Sequence, residues 1–381
     1  MNKFRFFSGI IIIALSFVFI QCTSEPIAGP EGPAGQDGED GIDGGNVCLA
    51  CHNVDYKVIQ PETYALSGHG TGTAHIGHGS TGCAACHTDG GYINTVYNET
   101  LTATSTFPEV RIGCTTCHSG GHASAGLAIS GTDAALRSVT EYTLNQKDAN
   151  GNDVNVHFGN TSNNCIHCHQ PRRNATSALV PNTSGNIAIS SSFGPHYGNQ
   201  TALLEGMFGY EVSGTTAYPT KSSATHRTAS SCTQCHMGPK DGTSGNHSMS
   251  PSLNTCKTCH TGAGVVNFDI NAGQTKIKNL MIELAEEIVR VRPTDFRIAN
   301  YTGTKPFTAP NIFTDATYSS NQLTIMSGTL NYASTDDVKV RVARAYWNWR
   351  YLYQDHSYGL HNPKYAEALL KNTIADLKLI P

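Results

Sequence analysis

The stretch Cys165-Ile166-His167-Cys168-His169 decides how this 381-residue chain folds. Its skeleton, Cys-x-x-Cys-His, occurs five more times: Cys48-Leu49-Ala50-Cys51-His52, Cys83-Ala84-Ala85-Cys86-His87, Cys114-Thr115-Thr116-Cys117-His118, Cys232-Thr233-Gln234-Cys235-His236 and Cys256-Lys257-Thr258-Cys259-His260. Two thiols one helical turn apart can add to the two vinyl groups of a single porphyrin, and the adjacent His then reaches the iron. This spacing is the attachment signature of c-type haem. Six copies predict six covalently bound haem c groups, with His52, His87, His118, His169, His236 and His260 as the proximal iron ligands.

Working outward, cysteine arithmetic removes the competing readings. Twelve of the 13 Cys lie in the motifs, and Cys22 alone is left over. Zinc sites would not place a His after every second Cys. A disulfide framework would not repeat one two-residue gap, and a thioredoxin-like dithiol is a single motif beside a βαβ unit. Apolar residues make up 39% and charged residues 14%, with 38 Gly, which is thin for a chain of this length. The deficit is explained if porphyrins supply much of the apolar interior. The formal charge is −4, and losing Lys3 and Arg5 with a leader makes it about −6. An acidic chain lacks the basic footprint of nucleic-acid binding.

Taken in order, residues 1–21 predict a signal peptide: Lys3 and Arg5 precede the 15-residue apolar run from Phe6 to Ile20, too short to span a membrane. Cys22 follows at once and is the expected lipidation site, although Gln21 stands where a small residue is usual. Residues 22–46 form the tether of a lipid-anchored protein, because from Gly29 glycine recurs every third position, as in collagen. So few triplets do not hold a triple helix, and an extended acidic spacer is expected instead. Residues 47–270 carry the six motifs amid Gly, Ser, Thr and Asn, predicting loops with a short helix at each motif. In 271–381 the pattern turns helical, with helices expected over Thr275–Val289, from about Thr335 to Tyr353, and from Pro363 to near Leu379.

The sixth coordination position decides function. Six Met, one of them Met1, cannot supply six irons, whereas eleven His remain outside the proximal set. Bis-histidine ligation is therefore affordable and Met ligation is not. Several segments around these His resemble exported multihaem c-type cytochromes of the outer-membrane or extracellular electron-transfer type: Ser67-Gly68-His69, Ser119-Gly120-Gly121-His122, Gly194-Pro195-His196-Tyr197, His226, Gly245-Asn246-His247 and His361-Asn362-Pro363. The resemblance implies His69, His122, His196, His226, His247 and His361 as distal ligands. It also implies a multihaem cytochrome fold, mostly coil with α-helices and little β, built round a haem array with the C-terminal helices packed on it. His75 and His78 are expected to face solvent, with either able to replace His69; His167 is expected to be a bystander and His356, beside Asp355 at a helix end, to support a ligand or the helix dipole, while His157 stays open as a ligand. Arg172 and Arg173 suit haem propionates. Tyr346, Trp347, Trp349 and Tyr351 are expected to pack rather than react.

The expected function is electron transfer by haem-to-haem hopping, from periplasmic or membrane donors to an extracellular or outer-membrane acceptor: a metal oxide, an electrode or a partner cytochrome. A filament built from copies of the chain is another use of the same array. The expected partners are thus redox proteins or extracellular acceptors and, through the lipid anchor, a membrane. The location is exported, as an outer-membrane lipoprotein. The competing reading is an enzyme, a nitrite- or hydroxylamine-type multihaem oxidoreductase with one open haem. The pattern favours a carrier, with no catalytic residue assigned, because all six motifs keep their His.

Overall fold

Short polar segments punctuated by Gly and Pro cannot hold long elements, and the amino-terminal part of the fold consists of single-turn and two-turn helices. The computed structural model describes residues 62–97, 106–118, 136–159, 161–261, 265–298, 323–326 and 328–381. The leader, Cys22, the tether, the first motif (Cys48, Cys51, His52) and His122 lie outside the described residues. The helices are α1 (Gly68–Thr71), α2 (Thr81–His87), α3 (Asp89–Tyr97), α4 (Cys114–Cys117), α5 (Asn163–Ile166), α6 (Ala175–Ala178), α7 (Gln200–Glu205), α8 (Thr225–Thr228), α9 (Cys232–His236) and α10 (Leu253–Lys257). Five of them, α2, α4, α5, α9 and α10, start or carry a Cys-x-x-Cys-His motif.

Three longer helices follow: α11 (Gly273–Val291), α12 (Asp337–Asp355) and α13 (Pro363–Lys378). Each begins and ends within a few residues of the span its apolar spacing predicts. Asp336 caps α12 by accepting from the Lys339 N–H, and Asn362 caps α13 by accepting from the Tyr365 N–H, with Pro363 at the first helical position. Thirteen of the nineteen residues of α12 are buried, so it is the central helix, with α11 and α13 packed on it and on each other.

The strands are short and pair antiparallel in three two-stranded sheets: β1 (Tyr142–Thr143) with β2 (Asn155–Val156), β3 (Asn186–Ile189) with β6 (Leu330–Ala333), and β4 (Phe296–Ile298) with β5 (Leu323–Ile325). The β3–β6 register, Asn186↔Ala333 to Ile189↔Leu330, joins the motif-bearing part to the helical part. One hydrophobic cluster runs from Leu144 to Ile380 and includes Ile187, Ile189, Leu203, Met281, Trp347 and Leu369. Buried polar groups tie loop to helix within it. Trp347 Nε1 donates to the Phe208 carbonyl at 3.1 Å, Tyr351 Oη to Met207 O at 2.6 Å, and Asn199 Nδ2 to Tyr351 O at 3.0 Å. Gly206 closes α7 in the left-handed region (φ 72°), where a Cβ would meet Asn362 at 3.0 Å. Among the described residues, no helix is long and apolar enough to cross a membrane.

Candidate functional site

The helices α2 and α9 end on their motif His and α4 just before it, whereas α5 and α10 end three residues short of theirs. Every described motif His faces a second His supplied by a distant segment. His169 faces His69 with ring centroids 6.1 Å apart, and His87 faces His196 at 6.1 Å. His118 faces His247 at 6.2 Å, His236 faces His361 at 6.3 Å, and His260 faces His226 at 6.3 Å. An imidazole nitrogen lies about 2 Å from a bound transition-metal ion, so two imidazoles on opposite sides of one ion put their centroids about 6 Å apart. All five separations fit an ion held between the rings. The five values fall within 0.2 Å of one another, whereas rings that only pack together in this chain spread from 4.6 Å for His78 on His87 to 6.5 Å for Tyr351 with Tyr365.

Five of these ten rings are steered by a partner at Nδ1, which leaves Nε2 free to ligate. His226 is anchored on Leu360 O (2.6 Å), His236 on Met249 O (2.8 Å), His169 on Gln200 Oε1 (3.0 Å) and His247 on Asn246 Oδ1 (2.7 Å). His361 differs in meeting a carboxylate, Asp355 Oδ1, at 2.7 Å. Burial pushes His69 down to about 4, aided by His169, and burial followed by the Arg172 charge does the same to His196. Both rings are thus held neutral, the form a metal requires. At His361 burial acts downward too, but the Asp355 charge and hydrogen bond, with Cys232, carry the net shift above the ordinary value.

The motifs also adjoin one another. Cys86 Sγ donates to His167 O at 3.6 Å and Cys168 Sγ to Ala85 O at 3.9 Å, joining the second motif to the fourth. Ser162 Oγ and Ser231 Oγ bond to each other at 2.9 Å and the Thr233 N–H donates to Ser162 Oγ at 2.9 Å, joining the fourth to the fifth. The Arg137 N–H donates to the Cys117 carbonyl and the adjoining Ser138 N–H to Asn164 Oδ1, which places the third motif beside the fourth, and α9 packs on α10, which places the sixth beside the fifth. The fourth motif is therefore the junction of the described set.

The remaining His fall outside the pairs. His157 is exposed and only its carbonyl is used, by Arg227 Nη2 at 3.0 Å. His75 is half-buried, with its carbonyl accepting from the His78 N–H. His78 was expected to face solvent, but it lies against His87. His356 sits in the left-handed region (φ 65°), stacks on Tyr197 at 5.4 Å and feels the charge of Asp355, whose carboxylate bonds to His361. His167 is buried edge-on to Tyr92 and Tyr142, and neither ring nitrogen has a hydrogen-bond partner. It belongs to the packing between the second and fourth motifs. Gln200, Asp355 and Met249 O, the anchors of the facing rings, carry no sequence signal, because each lies outside the motif it serves.

Residues 218–378 match the family model for cytochrome c552, a span that takes in the fifth and sixth motifs and His361. The crystal structure of the outer cell wall cytochrome OcwA aligns over 84% of this chain and 50% of its own, at 19% identity and a TM-score of 0.46. The chain therefore spans about half the length of that protein. No curated protein matches. The repeated attachment motif, the facing imidazoles and the family match define a multihaem c-type cytochrome with covalently bound haem c.

Proposed function

We propose that the protein carries electrons, with six haems each held by a motif and closed on its far face by a second His. The five facing pairs at 6.1–6.3 Å carry this reading. Cys83/Cys86, Cys114/Cys117, Cys165/Cys168, Cys232/Cys235 and Cys256/Cys259 form the thioether links. The irons would be held between His87 and His196, His118 and His247, His169 and His69, His236 and His361, and His260 and His226. Cys48, Cys51 and His52 hold the remaining haem, and His122 is the distal His left to it. When bound, haem c supplies a one-electron Fe(III)/Fe(II) couple at each site. The protein's own groups do the rest. With two imidazoles to each iron, no position would be left for substrate, and the five Nδ1 anchors would hold their rings still, so that little rearrangement accompanies a change of charge. The adjoining motifs give an order in which the second and third meet the fourth, the fourth meets the fifth, and the fifth meets the sixth. Such an array suits conduction more than catalysis.

The leader, Cys22 and the acidic tether support an exported lipoprotein that presents the array away from a membrane, towards a redox partner protein or an extracellular acceptor. The decisive measurement is a haem count on purified oxidised protein together with electron paramagnetic resonance. Six haems, all low-spin, are expected. A high-spin iron at one site would restore the enzyme reading. For the anchor, labelling with radioactive palmitate is expected in the native chain and lost in Cys22→Ala.

A further inference from the structure

The second and fifth haem sites, which both adjoin the fourth, sit in opposite electrostatic surroundings. At the fifth, His361 Nδ1 bonds to a carboxylate that is 0% exposed, and Asp355 meets no Lys or Arg among the described residues. Its second oxygen accepts from the Ser357 N–H (3.1 Å) and hydroxyl. A buried carboxylate on the far nitrogen makes the imidazole a stronger donor and places negative charge close to the metal, and both favour the oxidised iron.

At the second site three guanidinium groups gather without a carboxylate among the described residues. Arg350 is 6% exposed and spends its donors on carbonyls, Nε on Phe193 O (2.9 Å) and Nη2 on Ser191 O (3.4 Å). Arg173 donates to Ser192 O, so the strand of chain that leads to His196 is held between the two. Arg172 binds the same strand through its backbone N–H to Pro195 O (2.9 Å), one residue before His196. Arg350 is buried and Arg173 half-buried beside the exposed Arg172, so the two inner charges need an anion, and haem propionates are the anions this site would receive. Three positive groups against two propionates leave the surroundings positive and favour the reduced iron.

We propose that Asp355 and the Arg172–Arg173–Arg350 cluster set an order of potentials along the array, with the fifth haem the lowest of these three and the second the highest. The proposal rests on the carrier reading and its axial pairs. Its consequence is a direction. One electron lost at the fifth site is gained at the second by way of the fourth, one iron oxidised for one reduced, with no proton or further reactant.

The ring planes give the handle for the test. The His236–His361 rings are 34° apart and the His87–His196 rings 68° apart. In low-spin bis-imidazole haems, rings nearer coplanar give a rhombic resonance, and rings nearer perpendicular give a single large-g feature. Redox titration of the full, haem-loaded chain followed by electron paramagnetic resonance therefore separates the two sites. Asp355→Asn keeps an acceptor at the position and removes its charge, and a rhombic component is expected to shift to higher potential. Arg172→Gln alters an exposed side chain, and a large-g component is expected to shift to lower potential. Haem content and spin state are measured first on each variant. If both variants keep six low-spin haems and either leaves every midpoint in place, or moves it the other way, the proposal is overturned while the carrier reading stands. A native protein with fewer haems or a high-spin iron overturns the carrier reading instead. Should Asp355→Asn not fold, the Arg172→Gln titration decides alone.

Discussion

Residues 62–118 and the three long helices are built on different sources of stability. Among the described residues, the first stretch contributes only Ala84 and Tyr92 to the buried apolar set, although it carries two haem motifs. It is knit by local bonds, such as Ser67 capping α1 and Thr88 Oγ1 accepting from the Gly91 N–H. In α12 alone, Tyr346, Trp347, Trp349, Tyr351, Leu352 and Tyr353 are each no more than 2% exposed. One region lacks an apolar interior of its own, and the other has one made of aromatic side chains. The difference teaches that a porphyrin can stand in for a core. Where haem is the interior, the protein needs only turns, thiols and imidazoles around it.

The comparison breaks most visibly if haem is withheld. Replacing Cys83, Cys86, Cys114 and Cys117 by Ala is expected to abolish amide protection across 62–118 while α11–α13 stay protected. Hydrogen exchange read by mass spectrometry checks this, and equal loss in both regions would refute the contrast. Next in size, Trp347→Ala in the aromatic core should cost about 3–5 kcal/mol in chemical denaturation, with the haem count unchanged. Asn348 is fully buried and grips Tyr210 through both backbone groups, accepting from its N–H and donating to its carbonyl at 2.8 Å each. Asn348→Ala leaves those groups unpaired and should cost about 1–3 kcal/mol in the same assay.

The smallest effect is expected at Asp336, the N-cap of α12. Asp336→Ala should cost about 1 kcal/mol. The backbone N–H of Lys339, then the Lys339 charge and side-chain bond, hold the Asp336 carboxyl below its ordinary value. A carboxyl lowered by folding contributes stability above the unfolded carboxylate range and loses it as pH falls through the lowered value. The native chain should therefore lose slightly more stability on acidification than Asp336→Ala does, as paired denaturation curves at neutral and acid pH would show.

What the chain reveals in one dimension divides along the same line. The long helices are legible because burial of one stripe imposes a 3.6-residue period, and caps such as Asn362-Pro363 mark their starts. The motif turns are legible because chemistry fixes their spacing. The facing pairs are not legible as pairs: His69 meets the fourth motif, and His196 the second, only because the fold carries them there. The β3–β6 pairing is equally hidden, since four-residue strands leave too little alternation to read. His78 looked like a loop residue because a Gly-rich segment gives no sign that it folds back on His87. Asp355 belongs by sequence to the end of α12 and by function to His361, six positions on.

The place of His361 between α12 and α13 has a consequence for how the molecule is made. A chain synthesised from its amino terminus presents Cys232, Cys235 and His236 well before His361 exists, so the thioether links at that site can form ahead of the second imidazole. The fifth site is then sealed only when α13 docks against α11 and α12. On the proposed pairing the carboxy-terminal segment would act as a latch, supplying the last imidazole of the fifth site and, through Leu360 O, the anchor of His226 at the sixth.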